Sequence, residues 1–284
     1  MKTWLYRNQG LDLSKPRVMG IVNVTPDSFS DGGCFFDAGR AIEHGLRLAA
    51  EGADILDVGG VSTRPGASAV NEAEELRRVL PVIEGLARQT PIPLSVDTSR
   101  ATVAREAIAA GASIVNDVAT FDGDAAMAEV VRETGAGIVL MHSRATHEDV
   151  EYADVVTEVK EALERALMYA TEQGIAKESC VIDPGLGFAK TTAHNVAILR
   201  SLESLVGMAP VLIGASRKRF VGELGTNGVR TFQSACGLEN PHSVHRLGGS
   251  LAAAIWSVLH GATIVRVHDV KETVEALRVV EAMT

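Results

Sequence analysis

The chain has 284 residues, of which 46% are hydrophobic and only 4% aromatic, and its formal net charge is −9 at pH 7. That length and apolar content can bury one large core, and a chain rich in Ala, Val, Ile, Leu and Gly suits parallel strands covered by helices better than an aromatic-rich sandwich. The acidic balance excludes a broad nucleic-acid or anionic-membrane surface, which needs clustered Lys and Arg, so any phosphate site has to be local.

The opening MKTWLYRNQGLDLSKP has no apolar run fit for a signal peptide, and no later segment approaches the roughly eighteen apolar residues of a membrane span. Cys34, Cys180 and Cys236 are widely spaced with no CxxC pair, which reads as reduced thiols in a cytoplasmic protein. Strands are predicted near 18–22, 54–58, 93–96, 113–116, 137–141, 180–183, 210–214 and 263–267. Amphipathic helices are predicted over 37–51, 71–88, 100–110, 123–134, 154–173, 191–206, 248–260 and 270–282. One phrase recurs: EGADILDVG from Glu51, AGASIVNDV from Ala110, TGAGIVLMH from Thr134 and HGATIVRVH from His260. Each reads as a helix end, a Gly cap and a strand buried on both faces, the signature of successive βα units. With no linker in view, residues 1–284 read as one domain of the α/β class, a (β/α)8 TIM barrel.

In such a barrel the site forms at the C-terminal ends of the strands. Asn23, Asp57, Asp97, Asn116, His142 and Asp183 stand at the first six ends, Ser216, Arg217 and Lys218 at the seventh, and Arg266 with His268 at the eighth. A single Asp there is more often a helix cap than a ligand, but capping does not account for carboxylates and amides ending runs as buried as ADILDVG and ASIVNDV. Asp57, Asp97, Asn116 and Asp183 suit a flat, donor-rich heterocycle, while Arg64, Lys218, Arg266 and His268 bring positive charge to the same mouth. The bland reading of SRKR is a solvated basic turn; its place directly after APVLIGA weighs against it. The loops NVTPDSFSDGG and GGVSTRPGA carry Phe29 and Pro65 among small polar residues, so they can cover a ligand.

The motifs MGIVNVTPDSFSDGG, DVGGVSTRPGA, SVDTS, IVNDV, LMH, IDPGLGFAKT, GASRKRFVG and RVHDVKET, in that order, resemble those of the dihydropteroate synthase family. The resemblance implies condensation of 6-hydroxymethyl-7,8-dihydropterin pyrophosphate with p-aminobenzoate, giving 7,8-dihydropteroate and pyrophosphate. It implies that Asp97, Asn116, Asp183 and Lys218 hold the pterin edge, beside Asp57, and that Arg266 stacks on the pterin face. By the same resemblance Asn23 binds Mg²⁺, Thr63, Arg64 and His268 complete the anion site, and Phe29, Pro65, Phe188, Ser216 and Lys218 line the aminobenzoate side. Asp97, Lys218, Arg266 and His268 are the expected catalytic group, and a homodimer through the later helices is the expected assembly.

Three features depart from the family pattern: Val61 where Glu is usual, Arg219 where a small hydroxyl residue is usual, and a longer connection over 223–246. A neutral surface insertion is the favoured reading of the last; the sharper alternative is an enzyme less sensitive to sulfonamides. A pterin-dependent corrinoid methyltransferase and a binding-only pterin protein are the competing functions, and neither needs the TPDSF and SRK loops or the full anion set. His142, His242 and His245 lack the partners that a metal site demands and receive no role.

Overall fold

The computed structural model describes residues 3–24, 38–61, 70–144, 151–225 and 246–283. Phe29, Thr63, Arg64 and Pro65, together with Cys34, Cys236, His242 and His245, lie outside the described residues.

The chain begins with an antiparallel hairpin, β1 (Thr3–Tyr6) and β2 (Gln9–Asp12), that sequence patterning did not signal. Eight parallel strands follow: β3 (Arg17–Asn23), β4 (Ile55–Gly59), β5 (Leu94–Asp97), β6 (Ile114–Asp117), β7 (Gly137–Met141), β8 (Cys180–Asp183), β9 (Leu212–Ile213) and β10 (Ile264–Val267). Their order in the sheet is β8-β7-β6-β5-β4-β3-β10-β9. A parallel bridge between Ile182 and Val211, with the Ile182 amide donating to Pro210 O at 2.9 Å, joins the two ends into a closed barrel. This is the predicted (β/α)8 fold. Around it lie α1 (Ala38–Ala50), α2 (Glu72–Ala87), α3 (Ala101–Ala110), α4 (Met127–Thr134), α5 (Val155–Glu172), α6 (Thr192–Arg200), α7 (Arg219–Gly225), α8 (Leu247–Leu259) and α9 (Val270–Glu281). The expected helix over 191–206 breaks after Arg200 into a 3₁₀ turn at Leu202–Leu205, and α7 is an element the periodicity did not indicate. The glycine of each recurring phrase, at 52, 111, 135 and 261, takes a positive φ, as a helix-ending residue must to turn the chain back into the barrel.

Strand parity decides what faces the lumen. Met19, Ile55, Ile114, Val139, Val181, Leu212 and Ile264 point inward and pack with Trp4, Tyr6 and Leu13, so the hairpin plugs the N-terminal end of the barrel. Side chains two positions further along a strand share its face. Asp57, Asn116, Asp183 and Arg266 therefore stand directly above that apolar layer, and the pairing of Asp97 with Asn116 places Asp97 beside them. The apolar floor keeps water from reaching the polar layer from below.

Trp4 is fully buried and its indole N–H donates to Ser179 O at 2.9 Å, while Arg7 donates to Ile108 O and Ala112 O at 3.1 and 3.0 Å. Trp4→Phe keeps most of the apolar area but removes the donor to a half-buried carbonyl, and is expected to lower unfolding free energy by about 1 kcal/mol in urea denaturation.

Candidate active site

At the centre of the polar layer a guanidinium bridges two carboxylates. Arg266 Nε donates to Asp57 Oδ2 at 2.6 Å and its NH2 donates to Asp97 Oδ2 at 2.7 Å, while Asn116 Nδ2 donates to the same Asp57 oxygen at 3.1 Å. Two ion pairs fix the plane of the guanidinium, and the parallel ladder from β4 to β6 fixes the acids. Asp57 is fully buried, yet its Oδ1 has no hydrogen-bond partner among the described residues. A buried, unmatched carboxylate oxygen calls for a donor from elsewhere. Burial raises the Asp97 carboxyl to about 7; Arg266 opposes that shift and Asp57 adds to it.

Across the lumen, Asp183 Oδ1 accepts from the Gly185 amide at 2.7 Å, and burial raises its carboxyl above the usual range against the pull of Lys218. Lys218 Nζ donates to Leu186 O and sits 4.5 Å above the Phe188 ring. Burial lowers Lys218 to about 8, with Asp183 opposing. Asp183, Lys218 and Arg266 converge on Gly214, where a β-carbon would lie 4.0 Å from both Asp183 Oδ2 and Lys218 Nζ.

The turn after β9 is fastened down. Arg217 takes a φ of 57°, its amide donates to Ser250 Oγ at 2.9 Å, and its guanidinium pairs with Asp269. Ser216 Oγ lies 3.1 Å from His268 Nδ1 and accepts from the His268 amide at 3.2 Å. Asn23, His44, Arg217, His268 and Asp269 help line an adjoining cavity of about 780 Å³. Of the predicted site residues, Asp57, Asp97, Asn116, Asp183, Lys218 and Arg266 thus share the lumen with Phe188 at its edge, while Asn23, Ser216 and His268 belong to its flank. Arg219 turns away on α7, its side chain 82% exposed and paired with Glu223 at 3.1 Å. Sequence reasoning passed over Lys190, which is buried against His142 and the loop after β8; the one signal was its place two residues beyond Phe188 in IDPGLGFAKT.

The predicted Mg²⁺ at Asn23 has to be corrected. Among the described residues no group of three or more His, Cys, Asp or Glu is placed to hold a metal ion. Asn23 offers one neutral amide oxygen, whereas hard divalent cations take several oxygens, usually with carboxylates among them. Among the same residues no helix is long and apolar enough to cross a membrane.

Residues 19–268 match the pterin binding enzyme family. The dihydropteroate synthase of Mycobacterium leprae is 46% identical over 278 residues, which cover 96% of this chain and 95% of that one. The solved structure of Xanthomonas albilineans dihydropteroate synthase with 4-aminobenzoic acid has a TM-score of 0.89 at 47% identity, covering 99% of this chain and 98% of that one. The enzyme from the same organism in complex with 7,8-dihydropteroate has a TM-score of 0.84 at 46% identity, covering 96% and 95%. With the polar lumen built as above and matches running along nearly the whole sequence, the chain belongs to the pterin-binding enzymes, within the dihydropteroate synthase family.

Proposed function

We propose that this chain joins 6-hydroxymethyl-7,8-dihydropterin pyrophosphate to p-aminobenzoate, releasing pyrophosphate and forming 7,8-dihydropteroate for folate synthesis. The observation that carries the reading is the Arg266 bridge between Asp57 and Asp97 in the polar layer of the barrel, beside a buried Asp57 oxygen with no partner among the described residues. The ligands of the Xanthomonas albilineans enzyme, 4-aminobenzoic acid and 7,8-dihydropteroate, support the choice of substrates, and whole-length similarity favours this reaction over corrinoid methyl transfer.

Asp97, Asn116, Asp183 and Lys218 hold the pterin edge, the carboxylates taking ring N–H and amino donors and Lys218 the ring carbonyl, with Asp57 beneath. Arg266, held flat by its two acids, stacks on the ring face. Ring donors favour the ionised form of Asp97, which burial keeps protonated up to about pH 7 in the free protein. The bond from the methylene carbon to the pyrophosphate oxygen breaks ahead of C–N bond formation, so positive charge grows on the pterin within reach of Asp97, while Thr63, Arg64 and His268 receive the negative charge of the leaving group. The aminobenzoate amine, beside Phe188, Ser216 and Lys218, then forms the new bond and loses a proton to solvent; the resemblance adds Phe29 and Pro65, outside the described residues, to that side. No protein nucleophile takes part.

Residues 1–284 are read as one domain, acting in the cytoplasm without nucleic-acid or membrane partners and paired as a homodimer. Trp256, Leu259 and Val279, between 44% and 59% exposed on α8 and α9, support that pairing. Purified protein given both substrates is expected to form pyrophosphate and dihydropteroate in equal amounts, and formation of neither would end the reading. Because Arg219 faces solvent, sulfamethoxazole is expected to compete with p-aminobenzoate in the same assay; absent inhibition would favour the sulfonamide-insensitive alternative.

A further inference from the structure

Lys190 is a buried cation that the reaction above leaves without a task. It is 9% exposed, and its ammonium meets neutral acceptors: His142 Nδ1 at 2.9 Å and the carbonyls of His142, Gly185 and Phe188 at 3.3, 3.0 and 3.2 Å. Burial, with the Lys190 and Arg144 charges beside it, lowers the His142 ring to about 3, so the ring is neutral and its Nδ1 accepts. Burying an ammonium without a directly bonded carboxylate is costly, and burial lowers Lys190 to about 7, with the charge of Asp183 opposing.

The three carbonyls reach one point because the loop from Pro184 to Lys190 reverses its hand repeatedly. Gly185, Gly187 and Ala189 have φ of 66°, 77° and 48°. Gly185 presses so closely on the end of β7 that a β-carbon there would lie 1.9 Å from His142 O. The Gly187 amide donates to Asn195 Oδ1 at 2.8 Å, which ties the loop to α6. On its opposite side the same loop offers Leu186 O to Lys218 and sets the Phe188 ring beneath that ammonium. One lysine thus grips the loop from inside the protein while the other rests on it from the site.

We propose that Lys190 is a positioning residue for p-aminobenzoate: by gathering the carbonyls of His142, Gly185 and Phe188, its ammonium holds Phe188 and the Leu186 carbonyl where they seat Lys218. The assignment rests on the function proposed above. Lys190→Met keeps the length of the side chain and removes the charge and donors. It is expected to raise the KM for p-aminobenzoate about tenfold or more through the displaced Phe188, with smaller losses, about threefold, in kcat and in 6-hydroxymethylpterin affinity by calorimetry, because Lys218 keeps Asp183 beside it. A role confined to stability would shrink the active fraction, and with it Vmax, while leaving KM at the parent value; that result would overturn the proposal. Should the Met variant not fold, Lys190→Gln, which keeps a donor but no charge, carries the same expectation and the same overturning result. A parent protein that releases no pyrophosphate overturns the reaction itself and this assignment with it, whereas an active parent with an unchanged variant KM overturns the assignment alone.

Discussion

Asp97→Asn is expected to lower kcat for pyrophosphate release by about 10²–10³-fold while changing dihydropterin affinity far less. The amide keeps the shape of the side chain and one acceptor for the ring, so ground-state binding loses little. What disappears is the negative charge, which matters most when the methylene carbon turns cationic in a lumen sealed below by the Trp4 layer. The same variant should gain stability at alkaline pH. Burial raises the Asp97 carboxyl to about 7 in the folded protein, against about 3.9 for an Asp in an unfolded chain. Between these values the folded state holds a proton that the unfolded state has released, so stability falls as pH rises through that window and the whole cost of ionisation is present above it. Asn has no such proton, and Arg266 still has Asp57 as counter-charge. The melting temperature of the variant should exceed that of the parent at pH 8 and meet it near pH 4. Parent-like turnover would remove the electrostatic role, and a melting difference independent of pH would remove the burial argument.

Much of this was legible along the chain, for identifiable reasons. The barrel could be counted because each Gly-ended helix is followed by an apolar run, and no steric alternative serves as well as Gly at φ 105° or 124°. Asp57, Asp97, Asn116 and Asp183 stood out because an acid or amide closing such a run has to be matched by something. What stayed hidden depended on closure of the sheet. Arg266 and Asp57 are 209 positions apart, and nothing local in RVHDV or ILDVG announces that they share an oxygen-to-guanidinium bond. Lys190 was missed because a lysine is seldom buried, and three of its four acceptors are backbone carbonyls, which are the same in every sequence. The hairpin escaped because its turn is Arg7–Asn8, with both residues at positive φ, and lacks the Asn-Gly or Asp-Gly pair that marks such turns. The Mg²⁺ expectation failed differently: it came from resemblance alone, and Asn23 has no surrounding carboxylate set among the described residues.

Arg266→Met is expected to destabilise the fold by about 3–5 kcal/mol, because removing one partner leaves the opposite charges buried without compensation. The side chain is 20% exposed and bonds to two acids that are 0% and 12% exposed, so water can do little to replace it. A loss of that size should lower the melting temperature by about 10 °C for a domain of this class. The deficit should also depend on pH with a definite sign. Without the guanidinium, the largest nearby charge that favours ionised Asp97 is gone, so the folded variant holds that proton to a higher pH than the parent does. The variant therefore falls furthest behind above pH 7, where the parent has released the proton and the variant has not, and the deficit is smaller and level below about 7, where both folded proteins hold it. Urea titrations at pH 8 and pH 5 would reveal the trend. Adding Asp57→Asn to Arg266→Met removes one of the orphaned charges, and the pair should lose less than the sum of the single variants, with a coupling of about 1–3 kcal/mol. Strictly additive losses would mean that the guanidinium holds the lumen by packing and not by charge.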